Sequence, residues 1–477
     1  MTRPTTTPGA LRRRIFGWMM FDWASQPFYT LLLTFVFGPY LAETAAGAFR
    51  AEGLGAEAAA ARAQTLWSLT QAATGLLVAA SAPLLGAWAD ASGRRVAWVA
   101  GLSALYVAAT AGLWVLEPDG AGLWAALALF GLGLVAAEFA TVLTNAMLPE
   151  LGAGERGRMG RVSGAGFALG YAGGVVALLA MLGLFAEAEG GRTLLGREPA
   201  LGLDPAAREG TRFAGPFTAL WYAAFMLPFF LWVRDAPSPP CAPPARRATV
   251  GAALRALGRT ARGLRGRPSL AAFLVASMLY RDALAALYAF GGTYAVLVLG
   301  WPVAQVGAFG VIGAVAAALA SWAGGALDGR FGPKPVVSGA ALVLLAASGA
   351  IALTSREAAL GVPVAPGSPL PDLAFYAIGA VVGGAGGALQ AASRTLMGLH
   401  AEPGRAAEAF GLYALAGKAT AFLAPGLIAL VTWASGTPRL GALPVAALFL
   451  AGLALLARVR PEGDAPRPLG PAAAQGA

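Results

Sequence analysis

Residues 121–147 read AGLWAALALFGLGLVAAEFATVLTNAM, and Glu138 is their only charged residue. A run of about 20 mostly apolar residues is long enough to cross a bilayer as a helix. Eleven further stretches of this kind lie along the 477 residues; only 12% of the chain is charged, and its mean hydropathy is +0.65. Because a spanning segment must satisfy its own backbone hydrogen bonds, we predict an all-α integral membrane protein with twelve transmembrane helices.

The apolar stretches divide the chain into two sets of six. We predict an N-terminal six-helix bundle with a cytoplasmic N-tail over 1–234, a cytoplasmic linker over 235–269, a C-terminal six-helix bundle over 270–458 and a disordered cytoplasmic tail over 459–477. The predicted spans are 16–42, 65–88, 96–116, 121–147, 162–185, 214–234, 270–298, 303–327, 335–354, 372–398, 409–431 and 440–458.

The basic residues indicate how the chain is oriented. A net charge of +10 would suit a nucleic-acid partner, but the charges lie in short segments between apolar spans and form no continuous basic face. With the N-terminus inside, 24 of the 34 Lys and Arg residues face the cytoplasm and 8 face outward. By the positive-inside rule we expect a multi-pass protein of the cell inner membrane with both termini cytoplasmic. No small-residue cleavage pattern follows the first stretch, so we interpret it as a retained helix.

The predicted linker is rich in proline and then in arginine. Arg255, Arg259, Arg262 and Arg265 recur at helical spacing. Residues 246–267 therefore form either a surface helix on anionic lipid headgroups or a loop whose charge only sets the topology. The long segments 43–64 and 186–213, on the other side, are mixed in charge and could form short helices or lids.

The two halves of the chain repeat each other. The paired patterns are Asp22-x5-Phe28 with Asp282-x5-Tyr288, and Gly164-x5-Gly170-Tyr171 with Gly411-x5-Gly417-Lys418. Each pattern occupies the same span number in its half. Six spans repeated in parallel orientation are typical of the major facilitator fold, in which two pseudo-symmetric bundles rock about a central site.

The loops after the second and eighth spans carry a related motif with a mechanical interpretation. The first copy contains Gly86, Asp90, Gly93, Arg94 and Arg95, and the second contains Gly325, Asp328, Arg330, Gly332 and Lys334. Gly86 would let two helices approach closely, and Asp90 could accept hydrogen bonds from a helix N-terminus or pair with an arginine.

Such contacts would hold the halves together on the cytoplasmic face in one state and break in the other; the alternative is that the arginines, at headgroup level, only keep the loop inside. In the second copy Asp328 lies one residue early. A shift of one residue turns a helical side chain by about 100 degrees, so we expect a weak or absent second contact.

Five segments resemble the vacuole-effluxer-like ("unknown major facilitator") family. They are Phe21-Asp22-Trp23-Ala24-Ser25, Asn145-Ala-Met-Leu-Pro-Glu150, Asp282 with Ala289-Phe-Gly-Gly292, Gln390-Ala-Ala-Ser-Arg394 and Phe410-Gly-Leu-Tyr-Ala-Leu-Ala-Gly-Lys-Ala-Thr420. The resemblance covers about 16–458 and implies a twelve-helix facilitator. Fungal members are linked to amino-acid efflux from the vacuole. Ala283 departs from the family, which commonly has Gly after this Asp.

Polar residues inside the spans are the candidates for a substrate and proton pathway, because a charge in hydrocarbon costs at least about 2.5–3.5 kcal/mol. They are Asp22, Gln26, Glu138, Asn145, Tyr171, Arg281, Asp282, Gln390, Arg394 and Lys418.

Several of these residues allow two interpretations. Asp22, next to a kink at Pro27, either binds a substrate amine or a proton, or lies at the headgroups as a helix-start residue. Arg281 and Asp282 point about 100 degrees apart, so each needs a partner on another helix. Asp282 either faces Asp22 across a chamber or forms a structural ion pair.

Three further candidates lie in the fourth, tenth and eleventh spans. Glu138 either carries a proton or pairs with Arg281 or Lys418. Arg394 either lines the pathway or marks the cytoplasmic end of its span. Lys418 lies too deep to reach the headgroups, so its amine needs a carboxylate, a substrate or the loss of its proton. Tyr171, its counterpart in the repeat, would offer a hydroxyl across the chamber.

The sequence shows no sign of a metal or cofactor site. His400 is the only histidine, in a predicted loop, and Cys241 is the only cysteine. The glycine runs of the fifth and tenth spans follow no strand and precede no Walker Lys-Ser/Thr, so they indicate close helix packing. Gly-x-Ser-x-Gly is absent, and we predict neither an enzyme nor a cofactor.

We therefore expect a monomeric secondary transporter that moves a small solute, an amino acid or related metabolite, by alternating access with proton coupling. Membrane lipids would be its other partners. The alternatives are a lipid or amphiphile transporter of the same fold, and a membrane sensor that does not transport.

Overall fold

Twelve helical segments of the chain are long and apolar enough to cross a membrane, as predicted. The computed structural model describes residues 8–153, 155, 157–188, 190–235 and 262–464. The first six segments are span 1 (Pro8–Ala51), span 2 (Ala56–Ser92), span 3 (Arg95–Val115), span 4 (Leu123–Leu151), span 5 (Arg158–Phe185) and span 6 (Glu209–Trp232). The others are span 7 (Pro268–Leu299), span 8 (Gln305–Phe331), span 9 (Pro333–Ala352), span 10 (Leu370–His400), span 11 (Ala406–Ser435) and span 12 (Arg439–Leu456).

Two spans are irregular near their middle. Span 1 is α-helical from Pro8 to Pro27, turns into a π-helix over Phe28–Phe35, and resumes at Phe37–Ala51. Proline lacks the amide that a regular turn would use, which favours this change at Pro27. Span 11 is broken between Ala406–Ala419 and Leu423–Ser435. Both irregularities lie close to candidate polar residues.

Smaller breaks divide several other spans, mostly near their ends. Their pieces are Arg95–Gly112 with Leu113–Val115, Leu123–Asn145 with Leu148–Leu151, Arg158–Ala180 with Met181–Phe185, Glu209–Arg212 with Ala214–Phe225 and Leu227–Trp232, and Pro438–Ala442 with Leu443–Leu456.

The connecting segments are short or are held in place by hydrogen bonds. Residues 43–51, predicted as part of an outer segment, continue span 1. In the segment 186–213, which contains a 3₁₀ turn at Ala200–Gly202, Glu187 accepts hydrogen bonds from Arg208 Nε (2.8 Å) and Thr211 Oγ1 (2.6 Å). An antiparallel hairpin pairs Ala358–Ala359 with Val362–Pro363.

The predicted surface helix falls largely outside the described residues. Arg255 and Arg259 lie in 236–261 and are not described, and the same is true of residues 465–477. A 3₁₀ turn at Leu264–Gly266 leads into span 7.

The helices pack as two groups, spans 1–6 and spans 7–12. Within the groups, span 1 packs on span 5, span 3 on span 4, span 8 on span 10 and span 7 on span 12. Between the groups, span 5 packs on span 8 and span 2 on span 11. These four spans therefore form most of the interface at which a candidate site can lie.

One face of the bundle carries the start of span 1 and the end of span 12, and we call it the terminal face. There Arg14 Nη2 donates to the Arg234 carbonyl (2.9 Å), and Lys334 Nζ donates to the Val459 carbonyl (2.8 Å). Toward the opposite face the groups also touch where the Phe35 ring lies over Gly310.

Candidate functional site

One largely buried polar cluster joins the two helix groups through Arg394 of span 10. Its Nη1 donates to Asp22 Oδ2 (2.9 Å) and Oδ1 (3.2 Å) in span 1 and to Asn145 Oδ1 (3.2 Å) in span 4. Its Nε donates to Ser163 Oγ (2.9 Å) and its Nη2 to the Ser163 carbonyl (2.7 Å) in span 5. One guanidinium thus binds three helices of the other group.

This cluster is shielded from water. The Arg394 side chain is 4% exposed and that of Asp22 is 16% exposed. The guanidinium also lies over the rings of Trp18 (4.8 Å) and Phe167 (4.2 Å), an arrangement that favours a cation. Arg394 and Asp22 thus lie in the buried interface between the helix groups, which favours a place in the pathway for both.

A second ion pair joins the groups between span 4 and span 11. Lys418 Nζ lies 3.0 Å from Glu138 Oε1, and Tyr29 OH donates weakly to the same oxygen (3.5 Å). The Lys418 and Glu138 side chains are 32% and 16% exposed, so water-sized space reaches this pair. Of the open alternatives for Glu138, the structure shows pairing with Lys418.

A third contact is uncharged. Gln390 Nε2 of span 10 donates to Tyr171 OH of span 5 (2.8 Å), and the Tyr288 hydroxyl of span 7 lies against Gly386 of span 10. Tyr171 thus offers its hydroxyl across the interface as expected. Gln26 instead packs inside its own group, with its Cγ against Gly174 of span 5.

Arg281 and Asp282 each find a partner on span 11, as predicted, but neither partner is a side-chain charge. Asp282 is 5% exposed and its Oδ2 accepts the backbone N–H of Ala424 (3.0 Å), which starts the second part of the broken helix. Asp282 thus forms no ion pair among the described residues, while Asp22, its counterpart in the repeat, pairs with Arg394. Arg281 Nη1 donates to the Tyr413 carbonyl (2.9 Å), and its guanidinium lies over the Tyr413 ring.

The loop after span 2 forms the predicted contact at the terminal face. Asp90 Oδ1 accepts from Arg95 Nη2 (2.7 Å) and Nε (3.0 Å), while Asp90 Oδ2 accepts the backbone N–H of Glu408 (3.0 Å) at the start of span 11. Arg95 Nη1 also donates to Glu150 (2.8 Å), which binds Arg14 (3.0 Å). Asp90 therefore caps a helix of the other group while its charge is paired within its own.

The other residues of this loop differ in role. Arg95 is buried, so its predicted place at headgroup level is wrong, whereas Arg94 is exposed. Gly93 ends span 2 in the left-handed region at φ +63°, which a glycine adopts without strain.

The second loop copy does not repeat the ionic contact. Asp328 is 3% exposed, forms no salt bridge with the described residues and packs on the backbone of Gly160 in span 5. Arg330 lies over the Phe331 ring and Lys334 binds carbonyls at the end of span 12. Gly332 joins spans 8 and 9 at φ +86°. The difference fits the one-residue shift noted in the sequence.

Substituting Gly86 tests the close approach between spans 2 and 11. Any Cβ at Gly86 would overlap the Ala407 backbone carbonyl, which cannot rotate away. We expect Gly86→Ala to lower the free energy of unfolding by roughly 1–3 kcal/mol, as overpacking does. Thermal unfolding of the purified protein measures this. The control is Gly101→Ala in span 3, where open space surrounds the glycine. Equal stability of the two variants would contradict the close packing.

Sequence reasoning missed several members of the Arg394 cluster. Ser163, Trp18 and Phe167 are small or aromatic residues of a kind that is common in membrane helices, so nothing in their type set them apart. Tyr288 belongs to the repeated pattern Asp282-x5-Tyr288, so the sequence could have identified it as a candidate. His400, predicted in a loop, is the buried last residue of span 10, with ring nitrogens at 3.0 Å from Ser269 Oγ and 2.8 Å from the Leu396 carbonyl.

A family model described as "Vacuole effluxer Atg22 like" matches residues 10–463. The chain belongs to this family. A Bacillus subtilis relative named "Uncharacterized MFS-type transporter YxiO" is 24% identical over 94% of both chains. Autophagy-related protein 22 of Coccidioides immitis is 27% identical over 50% of this chain and 40% of its own length. The chain thus spans less than half of that fungal relative.

Solved structures confirm the major facilitator fold. The human organic anion transporter MFSD10 has a TM-score of 0.66 and 18% identity, and the match covers 95% of this chain and all of that one. The proton:xylose symporter XylE also has a TM-score of 0.66, with 9% identity, over 94% of this chain and 95% of that one. The protein is therefore a multi-pass membrane protein with the major facilitator fold, and family and fold point toward a transporter and away from an enzyme.

Proposed function

We propose that this transporter moves a small solute, an amino acid or a related metabolite, across the cytoplasmic membrane by alternating access coupled to protons. The observation that supports this best is the set of polar contacts between the two helix groups. Arg394, Lys418 and Gln390 of the second group bind Asp22, Glu138 and Tyr171 of the first. Buried ion pairs do not reliably stabilise a protein, so stability alone does not explain these charges. A role in a transport pathway does explain them.

The cycle would open one face at a time. Opening the terminal face separates Gly86 from Ala407 and breaks the Asp90–Glu408 contact. Opening the opposite face moves Phe35 away from Gly310. The Lys418–Glu138 pair borders open space, so a substrate carboxylate or amine could replace one partner, and a proton could neutralise Glu138 when Lys418 leaves.

The distribution of basic residues indicates which face of the protein is cytoplasmic in this proposal. The terminal face would be cytoplasmic, because this placement gives the 24-to-8 bias of basic residues and the positive-inside rule favours it. Residues 246–267 would then lie near anionic lipids. The family description names vacuolar efflux, and the proposed amino-acid class follows from the sequence resemblance.

Counterflow in proteoliposomes tests this function. Vesicles loaded with an unlabelled amino-acid mixture should take up labelled amino acids, and an inward proton gradient should drive accumulation. We expect Glu138→Gln to retain counterflow, because the substitution leaves exchange undisturbed. Proton-driven accumulation should fall at least about tenfold, because the variant lacks a carboxylate that can bind the proton. Exposed Glu57 supplies the control variant Glu57→Gln, which should behave as the wild type.

Two results would argue against the proposal. Gradient-driven accumulation by Glu138→Gln at the wild-type level would remove Glu138 from proton coupling. Absence of counterflow for every amino acid and related metabolite, by well-folded protein, would overturn the substrate class.

A further inference from the structure

Asp328, near the end of span 8, has a carboxylate oxygen without a hydrogen-bond partner among the described residues. The residue is 3% exposed, and its buried Oδ2 forms no hydrogen bond. The hydroxyl of nearby Thr395 in span 10 donates to the Ala391 carbonyl (3.3 Å). Gly160 of span 5 presses against it so closely that a Cβ at that position would overlap the carboxyl group.

Among the described residues, the arginines around Asp328 contact other groups. On the span 5 side, Arg158 and Arg161 bind Glu155, and the hydrogen bond from Arg158 holds the pKa of the exposed Glu155 carboxyl below its usual value. On span 10, Arg394 is bound to Asp22. The remaining neighbours are Arg330 over Phe331, His400 bound to Ser269, and Glu462 on the cavity wall.

Asp328 also lines a cavity where water can reach the interface. This cavity, at the terminal face, has a volume of 840 Å³ and takes its walls from both helix groups. Gly157 and Met159 come from the first group, and Thr395 and Leu399 from the second. Separating the groups at this face would therefore lift Gly160 from Asp328 and expose the carboxyl group to water.

An ionised carboxylate that is buried without a partner is strongly disfavoured, and such a group takes up a proton instead. Asp90, the carboxylate of the first loop copy, differs because it binds Arg95 and the Glu408 amide. We propose that Asp328 is a proton-binding site that is occupied while the helix groups are packed together at the terminal face and empties when they separate there.

This inference rests on the alternating access proposed above and adds a proton site outside Asp22, Glu138 and Asp282. The sign follows from linkage. Because the packed state holds the extra proton, lowering the pH favours it, and raising the pH favours the open terminal face. For one proton, the ratio of packed to open protein changes by up to about tenfold per pH unit.

Spin-label distances between the two groups test the inference without a substrate. Full-length protein carrying Cys241→Ser, Arg94→Cys and Pro403→Cys, in lipid nanodiscs, places one label on each group at exposed terminal-face positions. Between pH 5 and 8.5, we expect the short-distance population to grow as pH falls. In this background, Asp328→Asn should keep the short distance at every pH, whereas Asp90→Asn should weaken the packed state and retain the pH dependence.

The outcomes separate the two proposals. A single distance population at all pH values overturns alternating access and this inference with it. Two populations whose ratio does not change with pH would overturn this inference and leave alternating access standing. An Asp328→Asn protein with the wild-type pH response would do the same. A ratio that follows Na⁺ concentration at fixed pH would assign the site to a metal cation instead of a proton. If Asp328→Asn fails to fold, the wild-type pH and Na⁺ responses still decide.

Discussion

Arg394→Gln is expected to lower the free energy of unfolding by about 3–5 kcal/mol and to abolish transport. The substitution removes a cation that binds Asp22, Asn145 and Ser163 and leaves the Asp22 carboxylate buried without its charge partner. Thermal unfolding of the purified protein measures the first effect, and counterflow in proteoliposomes measures the second. Arg394→Lys should recover only part of the stability, because a lysine cannot donate to three groups from a planar fork.

The double variant Asp22→Asn/Arg394→Gln separates pairing from packing. Removing both charges leaves no unpaired ion, so it should be more stable than Arg394→Gln alone, with a coupling energy of roughly 0.5–3 kcal/mol. Asp22→Asn alone should also abolish uptake while expression stays close to normal. If Arg394→Gln unfolds at the same temperature as the wild type, the buried pair does not hold the helix groups together.

Reversing the charge at either Lys418 or Glu138 should remove transport, and reversing both should restore exchange. Lys418 Nζ and Glu138 Oε1 lie 3.0 Å apart. Two like charges at this separation repel by roughly 5 kcal/mol at an effective dielectric constant of about 20, enough to force spans 4 and 11 apart. Counterflow and thermal unfolding of Lys418→Glu, Glu138→Lys and the double variant measure this. Lys418→Ala should likewise reduce uptake to background.

Lys334 offers the matched control, since it is the only other lysine of the chain. It binds backbone carbonyls at the end of span 12 and no carboxylate among the described residues. We expect Lys334→Ala to transport at close to the wild-type rate. If Lys418→Ala transports as well as Lys334→Ala, the ion pair is not part of the pathway. If the double reversal stays inactive but folded, the orientation of the pair matters as well as its attraction.

Hydropathy along the chain determined the number and order of the spans. A segment that enters lipid must be mostly apolar over about 20 residues whatever its neighbours are, so this property is local and can be read from sequence. The loop motif predicted that Asp90 accepts hydrogen bonds from a helix N-terminus or pairs with an arginine, and the structure shows both contacts. It also indicated that the shifted Asp328 would lack such a contact.

The partners of the buried charges were decided only by the tertiary structure. Asp22 and Arg394 are 372 residues apart in sequence, and several acids and bases could have paired equally well on composition. Asp282 shows the same point, because the break in span 11 offers it a backbone amide in place of a facing charge. Which side of a helix meets which neighbour depends on rotations of about 100 degrees per residue and on glycine contacts between distant spans. Hydropathy reports neither of these, so the sequence identified the polar residues, whereas the packing of the helices determined their partners.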